Sequence, residues 1–374
     1  MGRKAIIVCL DGCGPAYLHS SGASFLKRVG DEGCYLEVES MIPSVTNVNA
    51  VSLLTGAYPE VHGITTNYYF DRETGREVFM ESPDFIKTRT LLETGASMGL
   101  KTALLTSKEK LRSLLHRGAA TSFSSEQPPS WLTKRIGPPP SIYSVDVDMW
   151  LMKALREVIH TDDIDLVYAM TTDYTMHKYA PEDRESQRHM EGIDAELRET
   201  MELLEARGDE VLLCVTADHG MSAKDYAVNL ERVLAAEDIP SRMNTIIADR
   251  YVVHHRNLGG AAYIYLKNAE DAARCLPILN ETEGVESTLP LDEASKRYHL
   301  DKTRIGDLLV LGTQNTVFGL TEHAITEVSL RSHGSLYERR VPLIINQPKS
   351  TLGISLRENK DVASAVMTWY LRKD

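Results

Sequence analysis

Val211-Leu212-Leu213-Cys214-Val215-Thr216-Ala217-Asp218-His219-Gly220-Met221 runs from an apolar segment straight into a polar turn. Its first five residues have the length and character of a strand buried on both faces. Asp218 and His219, both potential metal ligands, arrive where that strand ends, and Gly220 is expected to let the backbone turn sharply. In open α/β sheets, chemistry collects beyond the carboxyl ends of the strands. Standing alone, Asp-His-Gly is equally a polar turn. Other strand ends in this chain, however, carry the same kind of residue.

Ala5-Ile-Ile-Val-Cys-Leu10 reads as the first buried strand, and it ends at Asp11-Gly12-Cys13-Gly14-Pro15. An acidic side chain in a Gly-rich turn after a buried strand suits a cation, although an Asx-turn is an equal reading. Further on, Leu166–Met170 is an apolar strand followed by Thr171-Thr172-Asp173-Tyr174-Thr175-Met176-His177. The spacing of four puts Asp173 and His177 on one face of a helical turn, as a shared metal ion requires. His333-Gly334, where the main sheet resumes before the strand at 341–345, offers a third histidine.

Between 42 and 56, Val48, Val51 and Leu54 have helical spacing and Gly56 is a natural C-terminal cap. Thr46 therefore lands at a helix N-terminus. An N-cap role is one reading. The other is a nucleophile, with the helix N-terminus offering unpaired N–H groups to a phosphoryl oxyanion. A Thr hydroxyl needs an activator for that role, such as a bound metal. In the turn-rich loop that follows, Asn67 can donate its amide to a phosphoryl oxygen, and His62 is assigned a structural hydrogen bond. After the short strand Thr102–Thr106, Lys108 and Lys110 fall at i and i+2. In an extended loop they point the same way and can clamp one carboxylate.

Length and composition frame these motifs. The chain has 374 residues, 43% apolar and 25% charged, which allows a sizeable core. A net charge of −12 argues against a nucleic-acid-binding surface. The cysteine count is 5, odd and without a Cys-x-x-Cys pair, which argues against a disulfide framework or a zinc finger. The apolar part of 3–10 is too short for a signal peptide, and no run approaches a membrane helix. A soluble, cytoplasmic protein without membrane contact is expected. The Pro-rich stretch 118–141 reads as a loop or lid. Residues 240–315 read as an inserted α+β cap, with 1–239 and 316–374 forming an α/β metal-binding core. His254-His255 is assigned to cap structure.

Asp11, Thr46, Asp218 and His219 then make one nitrogen–oxygen metal site; Asp173, His177 and His333 make a second with an open position. Such ligands suit two zinc ions, with manganese as the alternative. Two close metals are the standard arrangement for in-line phosphoryl displacement.

The segments Pro43-Ser-Val-Thr46-Asn47, Leu54-Thr-Gly-x-Tyr-Pro-Glu-x-His62-Gly63, Asp173-x-x-x-His177, Ala217-Asp218-His219-Gly220-Met221 and His333-Gly334 together resemble the alkaline phosphatase superfamily. Thr46 makes the resemblance that of the nucleotide pyrophosphatase/phosphodiesterase branch. Asn67-Tyr-Tyr-Phe-Asp71 and Ser107-Lys108-Glu-Lys110 look most like the phosphonoacetate hydrolases within it. The resemblance implies an alkaline-phosphatase-like, mainly parallel sheet flanked by helices. It also implies attack by Thr46 on phosphorus, a phosphonate held by Asn67 and two zinc ions, and a substrate carboxylate bound by Lys108 and Lys110. The expected partner is a small anionic phosphonate or phosphoester, with a homodimer as the expected assembly. A phosphodiesterase with the same metal ligands is the alternative, using Tyr68, Tyr69 and Trp131 to stack a base. A non-catalytic metal-binding relative is the reading from a different class. Sulfatases and phosphoglycerate-mutase-like relatives are disfavoured by the Thr.

Overall fold

The computed structural model describes residues 2–251 and 254–372. Its centre is a seven-stranded sheet in the order Cys34–Glu39, Arg340–Ile345, Glu210–Thr216, Arg3–Cys9, Leu166–Met170, Thr102–Thr106, Thr121–Ser124. Neighbouring strands run parallel except at Arg340–Ile345, which is antiparallel to both of its neighbours. The middles of the central strands, Ala5–Cys9, Leu166–Met170 and Val211–Val215, are buried and apolar, as expected of parallel strands covered on both faces.

Register is what positions the site. Cys9 pairs with both Met170 and Thr216, and Thr106 pairs with Met170. Four adjacent strands therefore end on one line, and Asp11, Lys108, Asp173 and Asp218 follow within two or three residues of it. Backbone bonds extend that line past the strands: Leu10 donates to Thr216, Thr171 to Cys9 and Ser107 to Met170.

A second, antiparallel sheet of four strands spans Ser241–Thr245, Ala261–Leu266, Leu308–Gly312 and Val285–Pro290. Its alternation explains how both faces are buried. Tyr263, Tyr265, Leu309 and Leu311 join the main core, whereas Ala262, Ile264, Leu308 and Val310 join a smaller one. That smaller core also takes Leu230 and Leu234 from before residue 240 and Phe318 from after 315.

Two local expectations change. The Pro-rich stretch 118–141 holds the edge strand Thr121–Ser124 and the helix Ser130–Ile136, not only loop. Its prolines sit outside those elements or just before the helix, where no backbone donor is needed. Gly220 does not adopt a left-handed conformation, and a side chain there would meet the backbone oxygens of Glu338 and Arg340 and Cα of Gly14 at ordinary contact distance. Gly12 is the residue at positive φ, with Cβ of Asp173 close by.

All five cysteines are free and buried. Among the described residues, no helix is long and apolar enough to cross a membrane.

Candidate active site

Thr46 is the first residue of the helix Thr46–Thr55; Val45 occupies the cap position in extended conformation and makes no side-chain cap bond. The Thr46 hydroxyl is thus not spent on capping. Its Oγ1 lies 3.2 Å from Nε2 of His219 and 3.5 Å from Oδ1 of Asp11.

Around it stand three almost fully buried carboxylates, Asp11, Asp173 and Asp218, and three buried imidazoles, His177, His219 and His333. Each imidazole has Nδ1 against a backbone carbonyl: His177 on Arg331 at 2.7 Å, His219 on Gly220 at 2.9 Å, His333 on Ser44 at 2.8 Å. A carbonyl only accepts, so Nδ1 carries a proton in all three, and Nε2 presents a lone pair wherever the ring is neutral. Those lone pairs face carboxylate oxygens. His177 Nε2 is 3.2 Å from Asp173 Oδ2, and His219 Nε2 is 3.2 Å from Asp218 Oδ2. The His219 and His333 rings stack at 3.6 Å.

Lone pairs facing carboxylates at this distance need a cation or a proton between them. Protonation is disfavoured for His219 and His333, whose pKa values burial lowers, that of His333 well below the usual range. Oδ2 of Asp218 and Nε2 of His333 are buried and lack a hydrogen-bond partner. The other Asp218 oxygen accepts from the backbone N–H groups of Gly12 and His219. Three groups have ligand atoms within 4.8 Å of one another: Asp11, Asp218 and His219; Asp173, His219 and His333; and Asp173, His177 and His254. The donor set is oxygen and imidazole nitrogen without thiolate. These residues fit two divalent cations.

Electrostatics point the same way. Burial, then the charges of Asp173 and Asp218, push the Asp11 carboxyl well above its ordinary range. Burial also lifts Asp218, to about 6. Asp173 is equally buried, yet Lys108, His254 and His177 hold it well below the ordinary range. Lys108 is the positive charge that this cluster encloses, with Nζ 2.9 Å from Asp11 and 2.6 Å from Asp173. Burial opposes its charge, but those two carboxylates keep its pKa above the ordinary lysine value.

The lysine pair departs from expectation. Lys108 is extended, but a helix begins at Glu109, so Lys110 is already helical. The two ammonium groups do not share a partner: Lys110 Nζ pairs with Asp249 at 2.6 Å. Both lysines still line the small cavity, about 30 Å³, that holds Thr46, Asn67 and His333. They also line an outer cleft of about 630 Å³, with Glu81, Ile142 and Tyr251. Asn67 donates from Nδ2 to the Ala248 carbonyl at 3.3 Å, and its Oδ1 is without a partner. His62 lies outside the cluster. It accepts from the Ile64 N–H and bonds Ser52 Oγ at 2.8 Å.

Two residues escaped the sequence reading. His254 was assigned to cap structure, but its Nε2 lies 3.0 Å from Asp173 Oδ1. Unlike the other three rings, its Nδ1 has no partner, so Nε2–H is free to donate to Asp173. The adjacent pair of histidines was the available signal. Asn47, directly after Thr46, lines the cavity with a buried Nδ2 lacking an acceptor.

Four strand ends and one helix N-terminus converge on buried carboxylates and imidazoles, a cluster of candidate metal ligands beside the Thr46 hydroxyl. The chain belongs to the type I phosphodiesterase/nucleotide pyrophosphatase family, whose model matches residues 5–336, within the alkaline phosphatase superfamily. Among solved structures it is similar to phosphonoacetate hydrolase from Sinorhizobium meliloti 1021, crystallised with phosphonoacetate and with phosphonoformate. That chain is 34% identical, with a TM-score of 0.88 and coverage of 98% of this chain and 95% of the other. Murine ectonucleotide pyrophosphatase/phosphodiesterase 5, as an inactive variant in complex with AMP, matches at a TM-score of 0.73 and 17% identity over 99% and 96% of the two chains. It supports the fold alone. Bis(5'-adenosyl)-triphosphatase ENPP4 of Bos taurus is 26% identical over 244 residues, 62% of this chain and 51% of its own length. The match thus spans about half the length of that curated relative.

Proposed function

We propose that the chain hydrolyses the P–C bond of phosphonoacetate, giving acetate and phosphate through a phosphorylated Thr46. The observation that carries the hydrolytic centre is the Thr46 hydroxyl, left free at a helix N-terminus beside His219 and Asp11. Asp11, Thr46, Asp218 and His219 would hold one divalent cation, and Asp173, His177 and His333 a second. Two zinc ions, or manganese, would lower the pKa of the Thr46 hydroxyl and of the hydrolytic water, and offset phosphoryl charge.

The remaining steps belong to the protein's own groups. Thr46 Oγ1 forms the new P–O bond. The helix N-terminus, Asn47 and Asn67 direct N–H groups at the phosphoryl oxygens. As the P–C bond breaks, its electron pair moves to carbon and spreads into the adjacent carboxylate, and a proton from water completes acetate. Ammonium groups at that carboxylate stabilise the transition state more than the ground state, because its charge grows as the bond breaks. Lys108 and Lys110 are the residues for this role. Lys108, paired here with Asp11 and Asp173, would be released for this role with those carboxylates holding metal. Water then attacks phospho-Thr46 and releases phosphate.

The outer cleft favours a second reading. At about 630 Å³ it exceeds what an acetate group requires, and a phosphodiester with a larger leaving group would fill it. Phosphate release by zinc-loaded protein from phosphonoacetate, beside hydrolysis of bis(p-nitrophenyl) phosphate, separates the two. Preference for the diester overturns the phosphonate assignment. Inactivity on both points to a non-catalytic relative.

A further inference from the structure

We propose that Asp249 is a built-in competitor for the substrate carboxylate, occupying Lys110 until a carboxylate-bearing substrate displaces it. The inference rests on the phosphonoacetate reading and deepens it. Lys110 Nζ and Asp249 Oδ2 lie 2.6 Å apart, with side chains only 8% and 6% exposed. A charge buried to that degree needs a partner at all times. Both residues line the same small cavity as Thr46, Asn67 and Lys108.

Asp249 reaches Lys110 from 139 positions away, on the segment that follows the strand Ser241–Thr245. That segment is held independently of the ion pair. Thr66 Oγ1 donates to the Ile246 carbonyl at 3.0 Å and Asn67 Nδ2 to the Ala248 carbonyl at 3.3 Å. The Asp249 N–H donates to Asn257 Oδ1, and its Oδ1 accepts from the Tyr251 N–H at 2.7 Å. One carboxylate oxygen therefore serves its own turn, and the other serves Lys110.

A substrate carboxylate offers Lys110 the charge and acceptor geometry that Asp249 already supplies. Its binding exchanges one ion pair for another and leaves the Asp249 carboxylate beside the incoming group, where like charges repel. An anion that does not reach Lys110 leaves the pair undisturbed. Asp249 thus sets the affinity for carboxylate-bearing substrates and holds Lys110 in place between turnovers. An ion pair that merely orients Lys110 makes the opposite prediction, since removing Asp249 would then weaken substrate binding.

The test compares metal-loaded wild type with Asp249→Asn. The substitution is expected to lower KM for phosphonoacetate by about tenfold. Selectivity for phosphonoacetate over bis(p-nitrophenyl) phosphate, as the ratio of kcat/KM values, should rise accordingly. A KM that stays level or rises overturns the proposal. Crystals of metal-loaded wild type with phosphonoformate test it without a substitution. Lys110 is expected on the ligand carboxylate, with Asp249 Oδ2 beyond hydrogen-bond reach; Lys110 still on Asp249 with ligand bound overturns it. Wild type that fails to cleave phosphonoacetate removes the underlying reading. Cleavage by wild type without the Asp249 effect removes this inference alone.

Discussion

His177 presents Nε2 to Oδ2 of Asp173 at 3.2 Å while its Nδ1 is tied to the Arg331 carbonyl at 2.7 Å. The arrangement sets two electron-rich groups face to face, and His219 and Asp218 repeat it. Where the ring is neutral, such a contact calls for a cation between the two groups, and the clustered ligands are candidates to hold one.

Chelation should therefore abolish turnover and lower Tm, and zinc or manganese should restore both. Metal analysis of the active protein is expected to give two ions per chain. Full activity after exhaustive chelation, with no bound metal, would contradict the assignment.

Thr46→Ala removes the hydroxyl but none of the carboxylate or imidazole ligands. Turnover should fall on the order of 10³-fold or more, with metal content retained. Thr46→Ser should keep measurable activity and accumulate a phosphorylated serine on rapid quenching.

Replacing Lys108 and Lys110 by alanine should cost phosphonoacetate cleavage about 10²–10³-fold more than it costs an aryl phosphodiester. The difference arises because only the phosphonate develops charge on its carboxylate. Equal losses on both substrates would remove the carboxylate role.

His62 gives a pH-dependent stability difference. Burial, then the charge of Arg304, lowers its pKa from 6.5 to about 3. A depressed pKa means that the unfolded chain takes up the proton first as pH falls. His62 thus contributes its full stability above pH 6.5 and loses it progressively toward pH 3. The slope is on the order of 1 kcal/mol per pH unit. Urea midpoints at pH 7 and pH 5 should differ less for His62→Gln than for wild type, because the variant lacks the titration.

Lys224 and Glu338 form an ion pair at 2.9 Å with no solvent exposure of either side chain, and Glu338 also accepts from Ser335 N–H and Oγ. Glu338→Ala leaves a buried ammonium with the Gln314 carbonyl in place of its counter-charge. A loss of about 3–5 kcal/mol in urea unfolding is expected. A change within 1 kcal/mol would mean that water replaces the carboxylate.

The sequence by itself determined the fold class and the strand-end positions of the candidate residues. Buried parallel strands are largely apolar, so the first charged residue after Leu10, Met170 or Val215 stands out against its neighbours. Thr46 was legible for a similar reason, since helical spacing and Gly56 mark both ends of its helix. Local pattern stopped there. It placed Lys108 and Lys110 in one extended loop, but the helix beginning at Glu109 separates their directions. It left 118–141 as loop, because dense proline conceals a short edge strand that exists only by pairing with Thr102–Thr106. Only the tertiary structure decided that His254 meets Asp173 and that Asp249 meets Lys110. Those partners lie 81 and 139 positions apart. No periodicity links them, because such contacts form when one surface docks on another, and nothing in either segment's own pattern requires the other.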